Sequence, residues 1–227
     1  MASDEAGGST RRGVRLILAS GSPRRHELLD LVGIRHDVAP GFVDETSRGE
    51  EPGDLVGRLA IAKATAVARE RTGDVVLGAD SVVEVDGAVL GKPSGPADAL
   101  AMLSRLQGRT HSVLSGVALV RDGGTLVERH VERTRVTMRR ASEDELRRYV
   151  ASGEPLDKAG AYAIQGEGRA LVCEIEGCYT NVVGLPLCVV CRWLDRRVNA
   201  SRNAPEGPCR KADVFWPMGN GNSATLA

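Results

Sequence analysis

The segment VRLILA at residues 14–19 is a short, almost unbroken aliphatic run, followed at once by Ser20-Gly21-Ser22-Pro23. A run of that length with so little polar alternation reads as a strand covered on both faces. Ser22 can cap, and Pro23 can open, a helix in which Leu28, Leu29 and Val32 share one face before Gly33 ends it. The chain therefore opens strand, loop, helix. Apolar residues make up 42% of the sequence but aromatics only 3%, so the interior must be built from Val, Leu, Ile and Ala, which points to layered α/β packing. A length of 227 residues suits one large domain with room for two lobes.

Further along, residues 34–39 predict a second strand, and 40–53, rich in Gly, Pro and acids, an exposed loop carrying Asp44-Glu45. Leu55, Leu59, Ala62 and Ala66 recur at helical spacing over residues 54–71 and place Lys63 on a helix. Residues 75–79 form a buried-strand pattern expected to deliver Asp80 at its C-terminal end, where open α/β sheets collect ligand-binding groups. Asp86-Gly87 joins 82–85 to 88–90 as a hairpin, with Lys92 directly after it. A helix follows over 96–106, and then a long hairpin, 111–120 and 125–138, expected to be an exposed antiparallel part of the sheet. Ser142-Glu143-Asp144-Glu145 is a capping box opening a helix to about residue 152. Residues 154–168, dense in Gly and polar groups, predict a loop that shapes a site and carries Gln165. Residues 171–175 and 179–183, divided by Gly177, predict paired strands, and 187–198 a closing helix. Residues 1–13 read as a disordered leader and 199–227 as a solvated tail, leaving 14–198 as the folded domain.

The leader has no apolar core of the secretory kind, and no stretch approaches the roughly 18 consecutive apolar residues of a membrane span. Thirty Lys and Arg balance thirty Asp and Glu, so no overall field gathers nucleic acid or an anionic membrane, and a charged substrate must be met locally. Five cysteines, an odd number in a chain long enough to fold without staples, favour thiols in the reducing cytoplasm. Ser20-Gly21-Ser22-Pro23-Arg24-Arg25 sets two guanidinium groups at a helix N-terminus, a natural phosphate site. Taken alone it reads rather as an ordinary capped helix with solvated arginines. Lys63 and Lys92, with the carboxylates Glu45 and Asp80, change that balance. Four cations facing two carboxylates make sense where the cations neutralise a polyphosphate and the carboxylates hold a divalent metal cation, Mg²⁺ or Mn²⁺. Gly87 and Gly91-Lys92 do not make a Walker motif, because three residues rather than four lie between and Pro93 takes the Ser/Thr place. His26, His36, His111 and His130 lie apart in sequence without ligand spacing, and Cys188-Val-Val-Cys191 falls in a helix as buried structural thiols rather than a redox or zinc module.

Six segments occur in order: LASGSPRRHELL (18–29), DE (44–45), LGADSVV (77–83), LGKP (90–93), SGEPLDKAGAYAIQG (152–166) and VVGLPL (182–187). Together they resemble the Maf family of nucleoside triphosphate pyrophosphatases over about residues 15–197. The resemblance implies a fold like that of the inosine triphosphate pyrophosphatases, a central mixed sheet flanked by helices with two lobes around a cleft, and often a homodimer. It implies that Glu45 and Asp80 hold the metal and that Asp80 accepts a proton. Lys63 and Lys92, with Glu45 and Asp80, would form the catalytic set; Ser20, Arg24, Arg25, Ser81 and Gln165 would bind substrate. Arg24 and Gln165 resemble the branch acting on dTTP and UTP rather than the one acting on 7-methylguanosine triphosphate, which usually has Trp at the first position. Ser81 stands where that branch commonly has Thr. The activity expected is hydrolysis of dTTP and UTP, in a house-cleaning role, to the monophosphate and pyrophosphate. The competing expectation is a nucleotide-sensing regulator of cell division in which hydrolysis is incidental.

Overall fold

A computed structural model describes residues 14–198. The expected leader and tail lie outside the described residues. The strands are β1 (Leu16–Leu18), β2 (Asp37–Val38), β3 (Val75–Val85), β4 (Ala88–Leu90), β5 (Thr110–Arg121), β6 (Thr125–Met138) and β7 (Val172–Glu176). The helices are α1 (Pro23–Leu31), α2 (Pro52–Ala68), α3 (Pro96–Leu106), α4 (Glu143–Ala151), α5 (Tyr179–Val183) and α6 (Leu187–Val198), and three 3₁₀ turns cover Glu154–Asp157, Ala159–Ala161 and Glu167–Leu171. The strands form one seven-stranded mixed sheet in the order β2-β1-β3-β5-β6-β7, with β4 beside β3. β1 runs parallel to β2 and β3, and every other pairing is antiparallel. No helix among the described residues is long and apolar enough to cross a membrane.

Alternation along the strands divides the core into two layers. Leu16 and Leu18, Leu77 and Ala79, Val83 and Val85, and Val117 and Leu119 face the larger cluster, which includes side chains of α1, α3, α4, α5 and α6. Ile17, Val76 and Val120, with Val82 and Leu114, face the opposite way onto α2. That helix buries Leu55, Val56, Leu59 and Val67 against the sheet, at about 1.5–3 kcal/mol for each large side chain. It can approach so closely because two crossing points are glycines. A Cβ on Gly78 would stand 2.0 Å from the Ala60 carbonyl oxygen, and one on Gly116 would stand 2.2 Å from that of Val56.

Three sequence expectations change in the fold. β3 does not stop before Asp80 but continues to Val85, because β5 pairs with it from Val75 to Glu84. β5 is buried along most of its length, so the exposed member of the long hairpin is β6. Residues 179–183 form a helix, not a strand. Their Val, Tyr and Thr favour extended structure, yet buried Asn181 donates from Nδ2 to the Val113 carbonyl at 3.0 Å and to Thr134 Oγ1 at 3.0 Å. Thr180 Oγ1 accepts from Leu187 N at 3.1 Å. A helical turn lets neighbouring polar groups reach the sheet and α6 together, which the alternating faces of a strand would not. Of the expected caps, Ser142 accepts from Glu145 N, whereas Ser22 sits at its N-cap without a side-chain bond and donates its own N–H to Ser20 Oγ. Cys188 and Cys191 lie half-buried on α6, with the Cys188 thiol 3.8 Å from Cys178 Sγ.

Candidate active site

Along one edge of β3, β1 accompanies residues 75–77 and β4 accompanies residues 83–85. Residues 78–82 between them have no strand alongside on that edge, so their backbone groups are open there to other partners. This gap is where a parallel neighbour ends, the position at which open sheets leave a crevice. A cleft of about 730 Å³ lies over it. It is lined by the turn after β1, the loop after β2, α2, β3, the segment after β4 and residues 157–165. Ser20, Arg24, Arg25, Glu45, Lys63, Asp80, Ser81, Lys92 and Gln165 all line it. Segments separated by more than a hundred residues thus meet in one volume.

Its centre is an ion triad. The Lys63 ammonium lies 2.6 Å from Asp80 Oδ1 and 2.7 Å from Glu45 Oε1. Lys63 and Asp80 are buried, whereas the Glu45 side chain, carried on the loop before α2, is 61% exposed. Two carboxylates from separate segments already share one positive charge, and an all-oxygen donor pair of this kind suits a hard divalent cation.

Arg25 is placed otherwise than its sequence position suggests. Its guanidinium is buried; Nε donates to the Gly184 carbonyl at 2.8 Å, Nη1 to the Ala79 carbonyl at 2.8 Å and Ser20 Oγ at 2.9 Å, and Nη2 to Ser81 Oγ at 3.1 Å. The guanidinium has five N–H hydrogens, so one on Nη2 remains for a ligand. Arg25 therefore ties α1, the open edge of β3 and the end of α5 together. Burial lowers its pKa, opposed chiefly by the charge of Asp80. Ser81 Oγ also pairs with Ser115 Oγ at 2.7 Å. Ser20 Oγ accepts from Arg25 and from Ser22 N, which leaves its hydrogen to donate into the cleft. Arg24, in contrast, is half-buried and meets Asp157 at 3.5 Å, and Lys92 and Gln165 are exposed at the rim.

The wall bearing Gln165 is held by groups that sequence reasoning missed. Glu154 accepts from Tyr149 Oη at 2.7 Å, Glu167 N at 3.0 Å and Gly168 N at 3.1 Å, and Tyr149 Oη accepts from Ala163 N at 3.0 Å. These bonds clamp one end of the Gln165 segment to α4 and the other to the 3₁₀ turn that follows this helix. Burial, and next the Glu154 hydrogen bond, push the Tyr149 phenol well above its ordinary range. Lys158 adds a cation to the lining, bonded to Asp157 at 2.5 Å and to the Glu154 carbonyl at 2.8 Å. Behind the cleft, His111 meets Tyr162 Oη at 2.8 Å, and burial drives the imidazole down to about 4. The sequence signal for this wall was the GEP and DKAG wording around residues 153–160, whose polar groups face one another only after folding.

His26 and His36, without ligand spacing in sequence, also meet: His26 Nδ1 lies 2.7 Å from His36 Nε2. This pair stands apart from the cleft lining.

The family model of the Maf-like proteins matches residues 15–197. A protein of Symbiobacterium thermophilum named dTTP/UTP pyrophosphatase is 54% identical over 174 residues, spanning 76% of this chain and 89% of its own. One of Moorella thermoacetica with the same name is 52% identical over 178 residues, 78% of this chain and 91% of its own. One of Bacillus cereus, also so named, is 47% identical over 181 residues, 79% of this chain and 94% of its own. Among solved structures, a HAM1 protein from Coxiella burnetii aligns with a TM-score of 0.41 at 18% identity, covering 70% of this chain and 91% of that one.

Proposed function

This chain belongs to the Maf family, and on that premise we propose that it is a nucleoside triphosphate pyrophosphatase hydrolysing dTTP and UTP to the monophosphate and pyrophosphate. The observation that carries the reading is the buried Lys63 ammonium shared between Asp80 and Glu45 at the floor of a cleft rimmed by Arg24, Lys92 and Lys158. Relatives about half identical over most of both chains, each named dTTP/UTP pyrophosphatase, support the substrate class.

In this reading Arg24, Lys92 and the hydrogen of Ser20 Oγ bind the phosphate oxygens. Lys63 pairs with Asp80 at 2.6 Å and faces charge that develops on the triphosphate, a fixed cation in a partly desolvated site. Water attacks the α-phosphorus; an oxygen–phosphorus bond forms, and the bond from that phosphorus to the α,β-bridging oxygen breaks. Pyrophosphate leaves with the bond's electron pair, and Asp80 accepts the proton of the attacking water. Glu45 and Asp80 would hold Mg²⁺ or Mn²⁺, which supplies polarisation of the phosphoryl group when bound. Gln165 offers an amide donor and a carbonyl acceptor to O4 and N3–H of uracil or thymine. The Glu154 clamp keeps it in place, and Arg25 holds Ser20 and Ser81 in register.

We extend the proposal to a homodimer working in the cytoplasm. An odd number of cysteines, five in the whole sequence, suits a reducing compartment; light scattering reads the oligomer. The test of function is product analysis across dTTP, UTP, CTP, ATP, GTP and 7-methylguanosine triphosphate with Mg²⁺ or Mn²⁺. The highest kcat/KM should fall on dTTP and UTP, with pyrophosphate as the leaving product. A preference for 7-methylguanosine triphosphate, or release of orthophosphate, would overturn it.

A further inference from the structure

Beside Arg25 on α1, but outside the cleft lining, three ligand-bearing side chains converge. His26 and Asp30 are one helical turn apart, and His36 follows the turn that ends α1. His26 Nδ1 lies 2.7 Å from His36 Nε2, and His26 Nε2 lies 3.3 Å from Asp30 Oδ2. One ligand atom from each falls within 4.8 Å of the others. The His36 side chain is only 1% exposed, and its Nδ1 bonds the Ile34 carbonyl at 2.8 Å. That bond fixes the tautomer: Nδ1 carries the hydrogen, and the Nε2 lone pair is aimed at His26. A backbone carbonyl holding the remote nitrogen of a histidine is the usual support of a metal-bound imidazole.

We propose that His26, Asp30 and His36 form a three-ligand site for a transition-metal ion of the Zn²⁺ class, separate from the cleft and its oxygen donors. The proton now between the two imidazoles is what the ion replaces. With bonds of about 2.0–2.1 Å in tetrahedral geometry, the donor atoms stand roughly 3.3 Å apart. The two nitrogens then open slightly and the Asp30 carboxylate closes in. His26 and Asp30 are half exposed and so have room to adjust, whereas His36 is the fixed ligand. Water fills the fourth position. Two imidazoles select Zn²⁺, Co²⁺ or Ni²⁺ over Mg²⁺, so the site stays distinct from the Glu45–Asp80 pair when Mg²⁺ is abundant. The ion would cross-link α1, whose first turn carries Arg24 and Arg25, to the segment entering β2.

Equilibrium dialysis of the whole chain against Zn²⁺ in excess Mg²⁺, under reducing conditions, tests this with no reference to hydrolysis. One Zn²⁺ per chain should be retained, and Zn²⁺ should raise the melting temperature. Co²⁺ in its place should give the visible absorption of a four-coordinate N/O site. His26→Ala and Asp30→Ala, both at exposed positions, should lose the retained ion and the thermal shift without losing the fold; His36→Gln should do the same. Retention unchanged in His26→Ala and His36→Gln would overturn the proposal. So would an absence of bound Zn²⁺ in the native chain, or thiolate charge-transfer absorption with Co²⁺, which would assign the ion to cysteines.

Discussion

The Lys63 ammonium lies 2.6 Å from Asp80 and 2.7 Å from Glu45, yet the three are not equivalent once solvent is counted. Asp80 and Lys63 are both withdrawn from water, so removing one leaves the other as a buried charge. Lys63→Met should therefore lower stability by about 3–5 kcal/mol, read as a drop in denaturant midpoint. Asp80→Asn keeps the shape and leaves Lys63 its partner Glu45, so the fold should survive while turnover of dTTP falls roughly 10²- to 10⁴-fold, the span typical of a lost general base. A second residue ties stability to pH. His111 is neutral in the native protein down to about pH 4 because burial disfavours its charge. In the unfolded chain it protonates near pH 6.5. Above about 6.5 it is neutral in both states and costs nothing. As pH falls from there toward 4 the unfolded chain takes up a proton that the native pocket refuses, and stability declines by about 3 kcal/mol across that window. His111→Phe gives up the Tyr162 bond, but its unfolding free energy should depend less on pH between 6.5 and 4. Denaturant titrations at several pH values check the slope.

At the scale of elements, the close seating of α2 on β3 and β5 sets the distance between the Lys63 and Asp80 backbones. Gly78 and Gly116 make that seating possible, and neither pattern of neighbours distinguishes them in sequence from loosely placed glycines. Gly78→Ala would set a methyl group 2.0 Å from the Ala60 carbonyl, a backbone atom that cannot turn aside. The helix must lift, which should destabilise the protein by about 1–3 kcal/mol and separate Lys63 from Asp80. Activity should fall further than the unfolded fraction at the assay temperature accounts for; parallel melting curves and kcat measurements distinguish the two. The elements themselves were mostly legible. The helix at residues 96–106 and the hairpin around Asp86-Gly87 appear where periodicity and turn chemistry put them. Residues 179–183 do not, because their β-forming side chains were outweighed by buried Asn181 and Thr180, whose partners at Val113, Thr134 and Leu187 are remote or belong to the next element.

Across the whole molecule, the Maf-like family model matches residues 15–197, within the described residues 14–198. A chain cut to those residues should keep the dTTP kcat/KM of the full chain within error, and a loss would assign the outer segments a part in the site. Apart from residues 179–183, the order of strands and helices, the α/β class and the chemical types of the cleft residues were determined by sequence alone. Hydrophobic period, turn residues and capping groups act over a few neighbours, so local order suffices to read them. What only the tertiary structure decided was partnership. Arg25 spends its donors on Ser20, Ala79, Ser81 and Gly184 rather than lying open at a helix start, Glu154 clamps the Gln165 wall, and His26 finds His36. Each of these depends on directional bonds between segments brought together by close packing of the sheet. Such bonds vanish with a shift of about an ångström, and one-dimensional spacing carries no measure of that distance.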